Sequence, residues 1–143
     1  MKGSDKLTVD ELYAEANRLC REHWGVEFTG RIELVKRPWR RYNGICRYNK
    51  CLTPDGVEWD VAIIMSEKRN AERTREEVLG TLLHELVHWR LFTEGLKRGG
   101  LQYARSIARD DSPEFVRECQ RVGAPFSHTV AAQKAAKRYG GQR

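Results

Sequence analysis

The chain has 143 residues, enough for one domain with a sizeable core, and 40% apolar with 32% charged residues is ordinary for a globular protein. Its 26 Lys and Arg against 20 Asp and Glu leave a formal charge of +6, a mild basic bias that signals nucleic acid only where it is clustered. No apolar run approaches the roughly 20 residues of a membrane span, and "MKGSDKLTVDELY" has neither an apolar h-region nor a small-residue cleavage site, so a cytoplasmic protein is expected.

Thr8 with Glu11 three residues on forms a capping box, in which each side chain satisfies a backbone donor at a helix start. Leu12, Ala16, Leu19 and His23 then recur at helical spacing, and Gly25 ends the run. In "RIELVK" (31–36), Ile32, Leu34 and Lys36 alternate against Arg31, Glu33 and Val35. Past Pro38, "RRYNGICRYNK" alternates again up to Lys50. Pro54-Asp55-Gly56 is a tight-turn signal, and "WDVAIIM" (59–65) is aromatic and β-branched enough for a largely buried strand. These three strands are expected to form an antiparallel meander. The cysteines, Cys20, Cys46, Cys51 and Cys119, include no C-x-x-C pair, so free thiols are expected rather than a zinc ribbon.

A second capping box, Thr74 with Glu77, opens a long helix whose apolar stripe is Val78, Leu79, Leu82, Leu83, Leu86 and Val87. Gly95 is expected past its end, and residues 96–110 read as a loop with a short helical turn. Asp111, Ser112, Pro113 and Glu114 open another helix, with Phe115, Val116, Cys119 and Val122 buried and Gly123 as its stop. An alanine-rich helix over about 129–139 follows. No repeat, low-complexity tract or linker divides the chain. The expected architecture is a single α+β domain spanning residues 1–143: N-terminal helix, three-stranded antiparallel β-meander, long helix and C-terminal helices.

Within the long helix, residues 84–88 read H-E-L-V-H. Positions four apart stack one turn above the other, so His84 and His88 project from one face, where each can give a nitrogen to Zn²⁺. Glu85 lies beside His84 around the helix, placed to take a proton from water rather than to bind the ion. Burying three ionisable side chains among leucines and valines is costly unless something pairs with them, and a metal does so. A catalytic zinc site takes three protein ligands and leaves one position open. The third ligand is expected downstream, where His128, Asp110, Asp111 and Glu114 are the available donors, Glu94 being too close on the same helix.

H84-E-L-V-H88 followed by "DSPEFVRECQRVGAP" (111–125) resembles the SprT-like (Spartan-type) metalloprotease domain, and the preceding helix and strands fit that family's order. The resemblance implies a zincin-like fold and an intracellular zinc metalloendopeptidase, often DNA-associated, with Glu85 catalytic and His84 and His88 as ligands. The family's third histidine falls at Asp111, whose oxygen is a legitimate zinc ligand, so Asp111 is the expected third ligand, with His128 and Glu114 as the alternatives. Asp111 with Glu114 is also a capping box, and either Asp111 or Ser112 would cap a helix with Pro113 nearby, which needs no metal. Many relatives carry a C-terminal cysteine ribbon that is missing here, so nucleic-acid contact is expected from the core domain or its basic tail.

The stretch "KRPWRRYNGICRYNK" (36–50) interleaves aromatic and basic residues, as a single-strand binding surface does. Arg37, Trp39, Arg40, Arg41 and Tyr42 are the candidate contacts with single-stranded DNA. The alternative is a hairpin with Tyr42, Cys46 and Tyr48 on a core-facing side and Arg41 and Arg47 solvated on the other. Residues 59–65 are the candidate strand for pairing with an extended peptide. The rival to a peptidase is a DNA-binding module with a structural zinc closed by four ligands, to which Cys119 and His128 are available donors; a structural site has no use for Glu85.

Overall fold

The computed structural model describes residues 7–36 and 42–140. The elements are α1 (Val9–Trp24), β1 (Arg31–Val35), β2 (Gly44–Thr53), β3 (Gly56–Ser66), α2 (Glu67–Ala71), α3 (Arg75–Ile107), α4 (Pro113–Val122) and α5 (Val130–Tyr139). The chain forms two compact units, residues 1–85 and 86–143, and α3 runs from one into the other.

In the first unit, α1 starts on the expected capping box. Glu11 N–H donates to Thr8 Oγ1 at 3.1 Å, and Thr8 N–H to Glu11 Oε1 at 2.9 Å. Its end is Gly25 in the left-handed conformation (φ 66°), and Leu12, Ala16, Leu19 and Cys20 are buried. Two polar side chains tie α1 to β1 and to the loop that leads into it. Ile32 N–H donates to Tyr13 Oη at 2.9 Å, and Phe28 N–H to Asn17 Oδ1 at 3.0 Å.

The fold class is α+β as expected, but the sheet is mixed rather than an antiparallel meander. Its order is β1-β3-β2, with β1 parallel to β3 and β2 antiparallel to it. Alternation in sequence assigns faces to a strand but says nothing of which neighbour it pairs with. Burial decides the partner here. Val61–Met65 is an unbroken apolar run buried on both faces, so it takes the centre, where each side has a strand to pair with. β2, carrying Arg47 and Lys50, takes an edge, where charge discourages unwanted pairing. The register keeps faces consistent: Ile32, Ile63 and Cys46 share one side, and Leu34, Met65 and Gly44 follow on that same side. Ala62–Met65 is therefore paired on both flanks and offers no edge to a peptide, whereas Trp59–Val61 pairs with β2 alone.

The second unit also departs from expectation at Gly95. Instead of stopping there, α3 continues to Ile107 and bends at Gly100 (φ 84°, ψ −173°), a conformation restricted essentially to glycine. Residues nine apart in a straight helix are separated by about 13.5 Å, yet a Cβ on Gly95 would lie 2.7 Å from Ala104 Cα. The chain turns back at Gly100, and Gly95 is the space it returns into. Sequence cannot distinguish a glycine that ends a helix from one that admits a neighbour. Farther on, Ser112 caps α4, Pro113 occupies its first turn, and Gly123 closes it at φ 82°. Thr129 caps α5. Among the described residues no helix is long and apolar enough to cross a membrane.

Gly95→Val and Gly100→Ala are each expected to destabilise the protein by about 1–3 kcal/mol, the first by overpacking and the second by backbone strain. Thermal unfolding measures both, and unchanged midpoints would contradict the fold-back.

Candidate metal centre

Helix α3 is anchored ten residues before the motif. Thr74 Oγ1 accepts from Glu77 N–H at 3.1 Å, and Glu77 Oε1 accepts from Thr74 N–H at 3.0 Å. Three turns of regular helix then carry the motif into the interior. His84 and Glu85 are 9% and 5% exposed, and Leu82, Leu86 and Val87 beside them are fully buried. Such placement demands compensation for each ionisable group.

The downstream turn supplies it for His88. Its Nδ1 lies 2.6 Å from the carbonyl oxygen of Ala108. A carbonyl only accepts, so Nδ1 carries the hydrogen and the ring's remaining nitrogen, Nε2, is turned to the site. That nitrogen lies 2.8 Å from Asp110 Oδ1. Phe115 stacks on the other surface of the ring, with centroids 4.2 Å apart. An imidazole held at one nitrogen by a backbone carbonyl and packed against an aromatic ring is the usual outer support of a metal-binding histidine.

One ligand atom from each of His84, His88 and Asp110 lies within 4.8 Å of the others. Two neutral imidazole nitrogens and one carboxylate oxygen are a donor set that suits zinc and related divalent ions, so the residues fit a metal. Among the described residues no fourth His, Cys, Asp or Glu joins the group. Cys119 is buried in α4, and His128 is exposed.

Asp111, the position to which the family pattern points, lies elsewhere. Its carboxylate receives Arg109 Nε at 3.1 Å and Nη2 at 3.2 Å. Nor does it cap α4. Ser112 does, its Oγ accepting from Phe115 N–H at 2.9 Å and donating to the Ile107 carbonyl at 2.6 Å. Asp110 enters the sequence reading only as a nearby acid, behind the expected Asp111 and its alternatives His128 and Glu114. Choosing between adjacent aspartates depends on the turn at 108–112, since a one-residue step redirects the side chain. Both carboxylates are half-buried, and Arg109 pairs with Asp111. Glu114 is exposed on the first turn of α4, and Glu94 is engaged by Arg90 at 3.1 Å.

Two residues that the motif does not flag adjoin Glu85. A Cβ built on Gly44 would lie 3.5 Å from Glu85 Cγ. Cys46, on the same side of β2, has its thiol pushed well up by burial and then by the charge of Glu85, with Tyr48 opposing. The thiol therefore stays protonated beside the carboxylate. None of the four cysteines is in a disulfide. Of the candidate DNA contacts, Arg37, Trp39, Arg40 and Arg41 lie outside the described residues, and Tyr42 is 51% exposed.

Removing a ligand should weaken metal binding by more than the 10- to 100-fold that loss of an outer partner typically costs. Asp110→Asn is expected to do so, whereas Asp111→Asn is expected to change affinity little. Zinc titration against a competing chelator measures both, and the reverse ranking would move the third ligand to Asp111.

No family model, curated protein or solved structure matches the chain.

Proposed function

We propose that this chain is a zinc-dependent metalloendopeptidase of the SprT-like type, hydrolysing peptide bonds in proteins. The observation that carries the reading is the convergence of His84, His88 and Asp110, with Glu85 buried beside them. A bound zinc ion supplies the Lewis acidity that polarises a peptide carbonyl and makes water acidic enough to attack near neutral pH. Glu85 accepts the proton that water gives up and returns it to the leaving amine. Its neighbours suit that role, because Cys46 remains neutral and does not compete for the proton, and the apolar surroundings exclude bulk water. An extended peptide needs an unpaired strand edge, and β2 is the outer strand next to Glu85.

The donor count favours hydrolysis over a structural role, because a closed structural site calls for four protein ligands. Glu85→Gln keeps the shape of the side chain and removes its basicity. We expect it to retain zinc and to lose about 10²- to 10⁴-fold in kcat/KM on an unfolded protein substrate. Full activity in a zinc-loaded Glu85→Gln variant would leave a DNA-binding module with structural zinc as the better reading.

The same proposal includes single-stranded DNA as a partner. Residues 86–143 contain 11 basic and five acidic residues, whereas residues 1–85 contain 15 of each, so the whole net charge resides in the second unit. There Arg117 and Arg138 lie 5.9 and 5.7 Å from the centre of the Tyr139 ring, an aromatic platform flanked by cations. Affinity for single-stranded DNA is expected to fall linearly on a log–log plot against salt. Arg117→Glu with Arg138→Glu should reduce that slope by about 0.7 for each phosphate left unneutralised. Fluorescence anisotropy over a salt series checks this; absence of binding at low salt removes DNA from the proposal.

A further inference from the structure

We infer that Gly44 and the hydrogen-bonded clasp centred on Asn70 are positioning elements for hydrolysis, setting how close the open edge of β2 lies to Glu85. The inference rests on the peptidase reading above and extends it to residues outside the motif.

Gly44 is the first residue of β2. Its backbone is not in the left-handed region, which among the described glycines is adopted by Gly25, Gly56, Gly100 and Gly123. What glycine supplies at 44 is space. A Cβ there would lie 3.1 Å from Thr81 Cγ2 as well as 3.5 Å from Glu85 Cγ. Thr81 and Glu85 are one helical turn apart on one face of α3, so the strand rests directly on the turn that carries the base.

Polar bonds hold the strand there. Asn70, 7% exposed, donates through Nδ2 to the carbonyls of Asn43 at 2.9 Å and Ser66 at 2.8 Å. Its Oδ1 accepts from Arg73 Nη1 at 2.7 Å, and that same nitrogen donates to Thr81 Oγ1 at 2.7 Å. Arg69 Nε donates to Asn43 Oδ1 at 2.8 Å. The start of β2, the end of β3, α2 and α3 are thus joined through one buried amide. Burial holds the Arg73 guanidinium below its ordinary pKa, with Glu77 opposing and Arg69 adding to the effect. Desolvating a cation to reach two neutral oxygens is a costly way to close a loop, and it makes sense where a distance must be kept.

The distance that matters is the one between substrate and base. A peptide paired on the β2 edge lies about 4.8 Å from that strand, so the placement of β2 on α3 also places the scissile carbonyl relative to Glu85. A shift of about 1 Å at a reacting centre costs up to about 100-fold in rate. Alanine at 44 must move its neighbours by a few tenths of an ångström.

The test uses the zinc-loaded full chain and a quenched-fluorescent peptide. Gly44→Ala is expected to lower kcat about 3- to 10-fold with zinc stoichiometry unchanged and KM changed by less than about 2-fold. Thr81→Ser keeps the hydroxyl that Arg73 uses and removes Cγ2, so the double variant Gly44→Ala/Thr81→Ser should recover kcat to within about 2-fold of the parent. A purely structural role would lower the unfolding temperature without this kcat loss and rescue. Asn70→Asp removes the two amide donors and keeps the acceptor for Arg73; it is expected to lower kcat in the same way, and it serves as the test if Gly44→Ala does not fold. An active parent whose kcat is unmoved by the substitution, or a loss that Thr81→Ser does not repair, overturns the inference and leaves the peptidase reading standing. A zinc-loaded parent inert toward peptide and unfolded protein removes both.

Discussion

The 2.6 Å contact between His88 Nδ1 and the Ala108 carbonyl is the constraint on which the candidate site depends. Because the oxygen has no proton to give, the contact decides where the ring's hydrogen sits, and with it which nitrogen meets Asp110. It also requires residue 108 to approach a helix position twenty residues earlier in the chain. That return is made by the bend at Gly100 and the space at Gly95, and it is secured by Ser112 bonding both Ile107 and Phe115. Features that look like unrelated local punctuation thus serve a single end. They bring a carbonyl and a carboxylate to one imidazole.

The first unit makes a parallel arrangement for Glu85. A carboxylate 5% exposed, on a helix where Leu82, Leu86 and Val87 are fully buried, is held next to an edge strand at Gly44, which has no side chain. Among the described residues the β1-β3-β2 order leaves β2, the strand beside the base, outermost. An antiparallel meander would have made β2 the central strand and closed that edge. The chemistry proposed for Glu85 therefore depends on strand order as much as on the motif.

Charge is divided in the same way. The 15 acidic and 15 basic residues of the first unit cancel, while the second unit holds the entire excess. A bulk charge of +6 conceals this asymmetry, and the aromatic and basic residues at 36–50 draw attention to the unit in which the charges balance.

What the sequence determined by itself was whatever depends on neighbours within four residues. The capping boxes at Thr8 and Thr74, the left-handed stops at Gly25 and Gly123, and the shared face of His84 and His88 all follow from bonds or spacings within about one helical turn. Tertiary structure decided the rest, because those choices compare residues far apart in the chain. β1 chose β3 rather than β2 so that the most apolar strand could be covered on both sides. Gly95 became a point of contact because Ala104 comes back to meet it. Asp110 rather than its neighbour joined the histidines because the path of the turn at 108–112 settles which of two adjacent side chains meets them and which pairs with Arg109, and no local pattern records that path.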